Sequence, residues 1–503
     1  IRSAGARVAH GPPNEMKILL LQPRFTYSRY MQIAVEMPLG LCSLAAVARQ
    51  RGHTVVIVDC LAEGFANAVR EGDLTTYGLP DEEIERRINE FHPDLVGVSC
   101  LFSAQYGNAR RLCELTKRVA PRAITVMGGM HPTVKPREVL SEESVDFIFQ
   151  GESDITFSDF ADALERGDGY GDIDGLGYKR DGVLVINRKE HFIADLDALP
   201  FPARDLLKVD CYYRAARAHG FVLTHSKNMN LITSRGCPAR CIFCTIFLVW
   251  GRRFRARSPE NVLAELEQMK RDFGVRHVQF EDDNLTYDIG RAKRIFRGMI
   301  DRRLGLAWNT PNGVALWSLD EEALDLMKRA GCYYVKFAIE SGNQRVLSRV
   351  IKKPQDLARA RRLIEYARSL GMMVGSFFVV GLPGETREEM QDSFDFRYTT
   401  RLDYTVYIAA KPEHGTELRR LCEEKGYLRK HTDLELEGGE GFIETPEFTP
   451  EWLRNKIARE NKRYLRFLIT HQPGTLLSLG WLIFKRDPLI VVKHLAHTLG
   501  LTR

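Results

Sequence analysis

Short apolar runs alternate with helical patterns through the first third of the chain. Five of these runs are predicted to be buried strands, at 17–21, 54–59, 95–99, 124–127 and 145–149. Helical periodicity between them predicts helices over 39–51, 81–91, 105–119 and 153–166. Strands and helices that alternate in this way form a doubly wound parallel sheet. The pattern therefore predicts an α/β fold, of the Rossmann-like kind, for residues 16–168.

A second series of strand and helix patterns begins near residue 223. Six strands are predicted in it, at 228–233, 277–282, 307–314, 333–340, 373–381 and 404–410. Six such units predict an open partial barrel over 223–437, because a closed barrel of this type has eight. Residues 169–222, between the two series, carry a hairpin pattern and a proline-containing connector.

The two ends of the chain have different patterns. Residues 1–15 have no periodicity, and we expect a tail or extension there. Residues 438–503 are predicted to be helical and partly apolar, with apolar runs about half as long as the ~20 residues that span a bilayer. We expect this region to pack against the barrel mouth. An amphipathic surface for a lipid-like substrate, or for peripheral membrane contact, is the alternative.

The composition narrows the class of protein. With 44% hydrophobic and 27% charged residues, the chain is expected to be soluble and globular. A net charge of +6 is too mild for this length to indicate a nucleic-acid partner. Most of the 10 cysteines stand alone, which is unlike a secreted disulfide framework, and no signal-peptide pattern precedes the first strand. A reducing cytoplasm is therefore the expected location.

Three cysteines are grouped directly after the first strand of the second series. The segment SRGCPARCIFCTIF holds Cys237, Cys241 and Cys244 in a C-x3-C-x2-C arrangement. Three thiolates on one loop can ligate three irons of a cubane cluster and leave the fourth iron open. A structural zinc site needs four ligands, and the closest histidine, His225, lies before the strand. The motif therefore predicts a [4Fe-4S] cluster with an open iron.

This motif resembles the signature of the radical S-adenosylmethionine superfamily, and the segments FEDDN, FAIESGN and VVGLPGET also match that family. The resemblance implies that residues at the strand ends bind S-adenosylmethionine, where barrel enzymes place their catalytic groups. The residues that it implies are Phe243 and Gly381 for the adenine, Glu281, Asp282 and Asp283 for the methionine amino group, and Glu340 and Ser341 for the ribose and carboxylate.

The N-terminal half resembles the cobalamin-binding domain that precedes many such barrels, in the segments 37–59, 97–105, 128–133 and 151–153. Small residues at the strand ends would let the nucleotide tail approach the backbone. The contacts that the resemblance implies are Ser99, Gly128, Gly129, His131, Gly151 and Glu152. The loop after the first strand has no histidine, so a His-off cobalamin is implied, as in the class B radical methylases.

Together these resemblances imply a cobalamin-dependent radical methylase that acts through a 5′-deoxyadenosyl radical. Its substrate would be an unactivated carbon of a small or amphiphilic metabolite, where polar methyl transfer fails and the cofactors supply the difficult chemistry. A flavodoxin or ferredoxin type protein would donate the electron. Three alternatives stay open. One is oxidative ring closure or another rearrangement, as in the magnesium-protoporphyrin ester cyclases that the chain also resembles. The others are a radical enzyme that has lost cobalamin and a non-catalytic corrinoid-binding protein.

Overall fold

The structure is a computed structural model that describes residues 15–28, 34–217, 219, 223–430, 441–475, 477 and 481. Almost all of the expected N-terminal tail lies outside the described residues. So does most of the apolar sequence after residue 475. The described residues form two α/β units, a connector between them and a long helix after the second unit.

A seven-stranded sheet forms the first unit, in the order β10-β9-β8-β7-β6-β1-β3. Its strands are β1 (Lys17–Gln22), β3 (Thr54–Asp59), β6 (Leu95–Ser99), β7 (Ile124–Gly128), β8 (Phe147–Phe149), β9 (Leu176–Arg180) and β10 (Val183–Ile186). A small sheet beside it contains β2 (Phe25–Ser28), β4 (Ala68–Glu71) and β5 (Leu74–Tyr77). The first five strands of the large sheet, β3-β1-β6-β7-β8, are parallel, as predicted.

The hairpin of β9 and β10 was predicted to belong to the connector between the two units, and the structure places it elsewhere. Strands β9 and β10 instead join the first sheet, because β9 pairs antiparallel with β8. Gly177 makes this pairing possible, since a Cβ there would lie 2.6 Å from the Ile148 side chain. Without the hairpin, β8 would expose an unpaired edge.

Helices cover both faces of this sheet and lead into the connector. They are α1 (Leu39–Gln50), α2 (Cys60–Glu63), α3 (Asp81–Phe91), α4 (Tyr106–Val119), α5 (Met130–Val134), α6 (Pro136–Leu140), α7 (Asp154–Arg166) and, in the connector, α8 (Val209–Ala215).

The second unit is an open partial barrel of six parallel strands, in the order β11-β14-β15-β16-β17-β18, which confirms the predicted fold class. The strands are β11 (Asn228–Leu231), β14 (His277–Phe280), β15 (Ala307–Asn309), β16 (Cys332–Glu340), β17 (Met373–Val380) and β18 (Tyr404–Ala409). A short antiparallel ribbon, β12 (Ser234–Arg235) with β13 (Arg255–Ala256), stands at its end.

The helices of this unit are α9 (Ile246–Trp250), α10 (Pro259–Phe273), α11 (Ile289–Asp301), α12 (Glu321–Arg329), α13 (Leu357–Ser369), α14 (Arg387–Thr400), α15 (Glu417–Glu424) and α16 (Pro450–His471). From α10 onward, a side chain that precedes each helix accepts a hydrogen bond from its first turn. These capping residues are Ser258, Asp288, Asp320, Asp356, Thr386, Thr416 and Thr449. The sequence thus encodes the helix starts locally.

The C-terminal helix packs against the barrel, as expected. Leu453 of α16 and Phe448 lie against Gly381, where a Cβ would approach Leu453 to 2.4 Å. In the described part of the chain, no helix is both long and apolar enough to cross a membrane.

A buried group of three charges holds the connector to the barrel. Arg204 of the connector lies 2.5 Å from Glu265 of α10, and Arg257 pairs with the same carboxylate. Arg204 also donates to the Asn230 carbonyl in β11 (2.9 Å). Burial acts to raise the pKa of Glu265, but the two guanidinium groups outweigh burial and lower it. The connector is therefore fixed rather than loose.

Removing the Glu265 carboxylate should destabilise this junction. In Glu265→Ala, two buried guanidinium groups lose their counter-charge, a change that costs about 3–5 kcal/mol in other proteins. We expect a lower midpoint of urea unfolding, followed by tryptophan fluorescence. The matched control is Glu267→Ala, two residues along the same helix, which removes an exposed pair with Arg302. It should change stability by less than about 0.5 kcal/mol. Equal midpoints for the two variants would contradict this role of Glu265.

Candidate cofactor site

The cysteine loop leaves the barrel at the end of β11 and is held at both of its ends. The β12–β13 ribbon closes its base, with Arg235 paired to Arg255. Gly236 has φ +82°, and a Cβ there would lie 2.4 Å from the Arg253 carbonyl, so only glycine fits. In the middle of the loop, the amide of Ile242 donates to the Ile351 carbonyl (3.2 Å). The loop is thus a fixed platform.

The three thiols of this loop are partly exposed, whereas six of the other seven cysteines are buried. Burial raises the pKa of Cys241 to about 11 and that of Cys244 to about 12. These thiols therefore become thiolates only with nearby positive charge, which iron supplies. The Asn284 amide lies 3.7 Å from the Cys237 sulfur, where it can donate a hydrogen bond. Three soft donors on one rigid loop fit three irons of a cubane cluster.

The loop cysteines do not form a close group of ligand atoms of the kind that a zinc centre needs. Ligand atoms about 2.0–2.3 Å from a shared zinc lie close to one another. Among the described residues, the one group of three or more histidine, cysteine or acidic ligand atoms within 4.8 Å of one another is His53, Asp162 and Glu165. The loop cysteines are not in that group.

The three acidic residues at the end of β14 differ in what they contact. Asp282 is buried and accepts hydrogen bonds from the Thr233 hydroxyl (2.7 Å) and the Ser234 hydroxyl (2.5 Å). It therefore fastens the start of the cysteine loop to β14. Glu281 lies 3.1 Å from Nδ1 of His219 through one oxygen, and its other oxygen is buried without a hydrogen-bond partner.

Asp283 has the third carboxylate. Burial, with help from Asp282 and Glu281, raises its pKa to about 7. An ammonium group placed beside Asp283 and Glu281 would relieve this crowding of negative charge. These two residues fit the methionine amino group predicted there, whereas the Asp282 carboxylate is already occupied.

The two predicted residues at the end of β16, Glu340 and Ser341, also differ in what they contact. Glu340 has φ +72°, which is unusual outside glycine and marks a functional or strained position. Its carboxylate lies 2.9 Å from Lys353 Nζ, and both groups act electrostatically on Cys241. The buried hydroxyl of Ser341 is already engaged, because it contacts the Ser393 hydroxyl and accepts from the backbone amide of Asn343.

Phe243 and Gly381 complete the predicted contacts to S-adenosylmethionine. Phe243 is half-buried and packs against the barrel core beside the cysteines. The amide of Gly381, at the end of β17, donates to the Glu385 carboxylate (2.8 Å). Gly381 thus shapes the loop after β17 and leaves room for α16. The contacts of Gly381 and Phe243 with S-adenosylmethionine remain predictions.

The first sheet presents an open cradle at the carboxyl ends of β6 and β7. Ser99 pairs with Gly128 there, and among the described residues, apart from the chain neighbours of Gly128, no atom lies within 4 Å of the position of a Cβ on Gly128. Gly129 has φ +114°, and its Cβ would lie 2.6 Å from the Cys100 carbonyl. Beside them, Leu101 and Phe102 are 53% and 46% exposed. Doubly wound sheets bind ligands at this edge, and an apolar rim over small residues fits a corrinoid with its nucleotide tail.

His131 lies inside the domain rather than at the surface of this cradle. Its ring is fully buried and lies 2.9 Å from the Ser103 hydroxyl through Nδ1. The ring also packs against Tyr106, with the two ring centres 4.2 Å apart and the rings tilted by 31°. This position favours support of the loop between β6 and β7. Direct contact with cobalamin stays a prediction.

Gly151 and Glu152 lie where the two units meet. A Cβ at Gly151 would lie 3.2 Å from the Val249 carbonyl in α9, directly after the cysteine loop. Glu152 is buried and pairs with Arg235 (2.6 Å) and Arg255 (2.8 Å) of the ribbon. Its carboxylate is therefore engaged by the barrel.

Asp154, which sequence reasoning missed, completes this interdomain ion pair network, which we define as Glu152, Asp154, Arg235 and Arg255. Asp154 lies 2.8 Å from Arg235 and accepts from the Ser43 hydroxyl. Burial acts to raise the pKa of Asp154, but Arg235 and Ser43 outweigh it and the pKa is lowered. The position of Arg235, two residues before Cys237, is the one sequence signal for this network.

Comparisons with known proteins agree with both halves of the site. Residues 34–161 match the B12 binding domain family, and residues 231–397 match the Radical SAM superfamily. A cytidylyl-2-hydroxyethylphosphonate methyltransferase of Streptomyces wedmorensis is 36% identical, over 89% of this chain and 91% of that protein. An anaerobic magnesium-protoporphyrin IX monomethyl ester cyclase of Rubrivivax gelatinosus is 27% identical, over 75% of this chain and 65% of that protein.

A solved structure shares the fold across almost the whole chain. It is the cobalamin-dependent S-adenosylmethionine radical enzyme OxsB with aqua-cobalamin and S-adenosylmethionine bound, at 16% identity and a TM-score of 0.70, covering 97% of this chain and 75% of that one. The two matched domains and the identity to the Streptomyces enzyme place the chain in one family. The chain belongs to the cobalamin-dependent radical S-adenosylmethionine methyltransferases, enzymes whose cofactors are a [4Fe-4S] cluster, S-adenosylmethionine and cobalamin.

Proposed function

We propose that this enzyme methylates an unactivated carbon of a small or amphiphilic metabolite, with Cys237, Cys241 and Cys244 as the cluster ligands. When bound, the cofactors would supply the radical chemistry that activates the substrate carbon and the methyl group that this carbon receives. The residues of the chain bind and orient these groups and keep water away from them.

The proposal rests on the attachment of the cysteine loop to the cobalamin domain. The interdomain ion pair network holds the ribbon at the base of the loop. On the far side, Leu248 of α9 and Val134 of α5 meet over Gly415, where a Cβ would lie 2.7 Å and 3.7 Å from their side chains. A radical and a methyl donor must lie close together to react, and this attachment supports one shared cavity.

The loop after β1 supports a His-off cobalamin. Residues 22–38 contain no histidine, and the His131 ring is fully buried and contacts Ser103 and Tyr106 of its own domain. We therefore propose that no histidine of this domain edge ligates cobalt from below. Ser99, Gly128 and Gly129 would receive the displaced nucleotide tail.

An exposed arginine patch surrounds the cysteine loop and suits an acidic electron donor of the flavodoxin or ferredoxin type. We define this patch as Arg240, Arg252 and Arg253, which are exposed and lie within or just after the loop. Arg252 also donates to the Ala239 carbonyl (3.2 Å), which holds the patch against the loop. Complementary charge raises the rate of encounter between partners.

Replacing a loop cysteine should remove the cluster and S-adenosylmethionine cleavage together. After anaerobic reconstitution, Cys237→Ala, Cys241→Ala and Cys244→Ala should each lose the reduced-cluster EPR signal and the formation of 5′-deoxyadenosine, because each removes one of three iron ligands. The control is Cys211→Ala, a partly exposed cysteine in α8. Full cleavage activity in any loop variant would disprove the cluster assignment.

Charge reversal of the arginine patch should slow reduction of the cluster by a protein donor but not by a small chemical reductant. We expect Arg240→Glu/Arg252→Glu/Arg253→Glu to reduce the rate with flavodoxin by about tenfold or more at low salt, since steering by charge depends on ionic strength. Reduction by dithionite should not change. A triple reversal at the exposed residues Arg86, Arg166 and Arg362 is the charge-matched control. Equal flavodoxin rates in the two triple variants would argue against this docking surface.

The products distinguish methyl transfer from ring closure. With a metabolite extract as the source of substrate, methyl transfer should release S-adenosylhomocysteine and 5′-deoxyadenosine in about equal amounts, because one S-adenosylmethionine supplies the methyl group and another the radical. Chromatography of the two nucleosides measures this ratio. Formation of 5′-deoxyadenosine without S-adenosylhomocysteine would favour the cyclase reaction, and formation of neither would favour a corrinoid-binding protein.

A further inference from the structure

The inner face of the barrel sheet is polar. Val278, Phe280 and Trp308 belong to the apolar core on the outer face, where Trp308 stacks on Phe296 of α11. Side chains alternate between the two faces of a strand. The inward-facing positions of the strands carry polar side chains that are at most 5% exposed. They are Asn230, His277, Gln279, Asn309 and Lys336. A lumen for an apolar substrate would have apolar side chains here.

Lys336 of β16 is a buried cation in this lumen. Its side chain is 3% exposed, and its ammonium lies 4.3 Å from the centre of the Phe377 ring. Within the described ranges, no carboxylate lies at ion pair distance from Lys336, whereas Lys353 at the mouth pairs with Glu340. Burial lowers the pKa of Lys336 to about 8, and Glu281 partly opposes this at longer range. An unpaired buried charge is costly, so a position that keeps one calls for a binding partner.

One further polar atom on this inner face also lacks a partner. Oε1 of Gln279 in β14 is buried without a hydrogen bond in the described structure. The amide nitrogen of Gln279 is used, because it donates to the His219 carbonyl. Buried acceptors that remain unsatisfied are uncommon in native proteins. A ligand that brings hydrogen-bond donors as well as negative charge would satisfy both kinds of group.

We propose that Lys336 binds an anionic oxygen group, phosphoryl or carboxylate, of the methyl acceptor, so that the substrate is a polar anionic metabolite. This rests on the proposed function and adds the substrate class to it. Lys336 lies four residues before Glu340, at the mouth, which is about 13 Å along a strand. An acceptor anchored at Lys336 would extend over that distance toward the cysteine loop, with its hydroxyl or amino groups facing Gln279.

Binding of simple anions to the reconstituted holoenzyme tests this subsite without turnover. The reduced cluster is paramagnetic, so a nucleus held near it relaxes faster. We expect the phosphorus of inorganic phosphate or the carboxyl carbon of acetate to relax faster with reduced holoenzyme than with the oxidised form. Phosphate alone would identify a phosphoryl group, and acetate alone a carboxylate.

Variants assign the effect to Lys336. Lys336→Gln should bind the anion at least about tenfold more weakly, as expected for the loss of a charge-assisted hydrogen bond. Lys328→Gln, on the outer helix α12, is the control and should bind as the unaltered enzyme does. Cluster content and S-adenosylmethionine cleavage establish that Lys336→Gln is folded, and Lys336→Met, which also removes the charge, replaces it if these are lost. Relaxation equal in reduced and oxidised enzyme, or equal anion binding in the Lys336 variant, would overturn the subsite. Neither result bears on the ratio of nucleoside products, which tests the proposed function.

Discussion

The interdomain ion pair network is the interaction on which the arrangement of this enzyme depends. Arg235 and Arg255 enter a buried junction from the ribbon at the base of the cysteine loop, and Glu152 and Asp154 meet them from the cobalamin domain. Buried charges carry a large desolvation cost, and when one partner is lost this cost is no longer compensated by ion pairing. The junction therefore tolerates one geometry, in which all four groups are paired. That geometry places the loop with Cys237 against the edge of the domain that holds the corrinoid cradle.

Tight backbone positions reinforce the same arrangement. Gly236 lets the loop turn under Arg253, Gly129 lets the cradle pass close to Cys100, and Gly381 admits the C-terminal helix to the barrel. Each would bring a Cβ within 2.6 Å of a neighbouring atom. These glycines do not supply chemistry themselves. They allow the residues that do, the three cysteines and the acidic residues of β14, to converge on one mouth of the barrel.

Local patterns were sufficient to predict the parallel strands of the two large sheets, the open barrel and the position of the cysteine loop, because periodicity and motif spacing are contained in short segments. They did not predict the small sheet of β2, β4 and β5, which depends on antiparallel pairing between separate segments. The roles of individual polar residues were not predictable in the same way. Asp282 lies in the acidic segment with Glu281 but serves Thr233 and Ser234, and Glu152 serves two arginines from another domain. The hairpin at 176–186 joined the first sheet through pairing with β8, a contact between segments that no local pattern describes. Lys336 is likewise an ordinary strand residue until the fold shows that it is buried without a counter-charge.

The central claim is that the cluster and the corrinoid face one cavity, and their magnetic interaction tests it most directly. Holoenzyme with cob(II)alamin and an oxidised cluster has one paramagnetic centre, and one-electron reduction of the cluster adds a second. If the interdomain network holds the loop against the cradle, the EPR spectrum of the doubly paramagnetic enzyme should show dipolar splitting or broadening of the cob(II)alamin lines. A spectrum equal to the sum of the two separate signals would contradict a shared cavity.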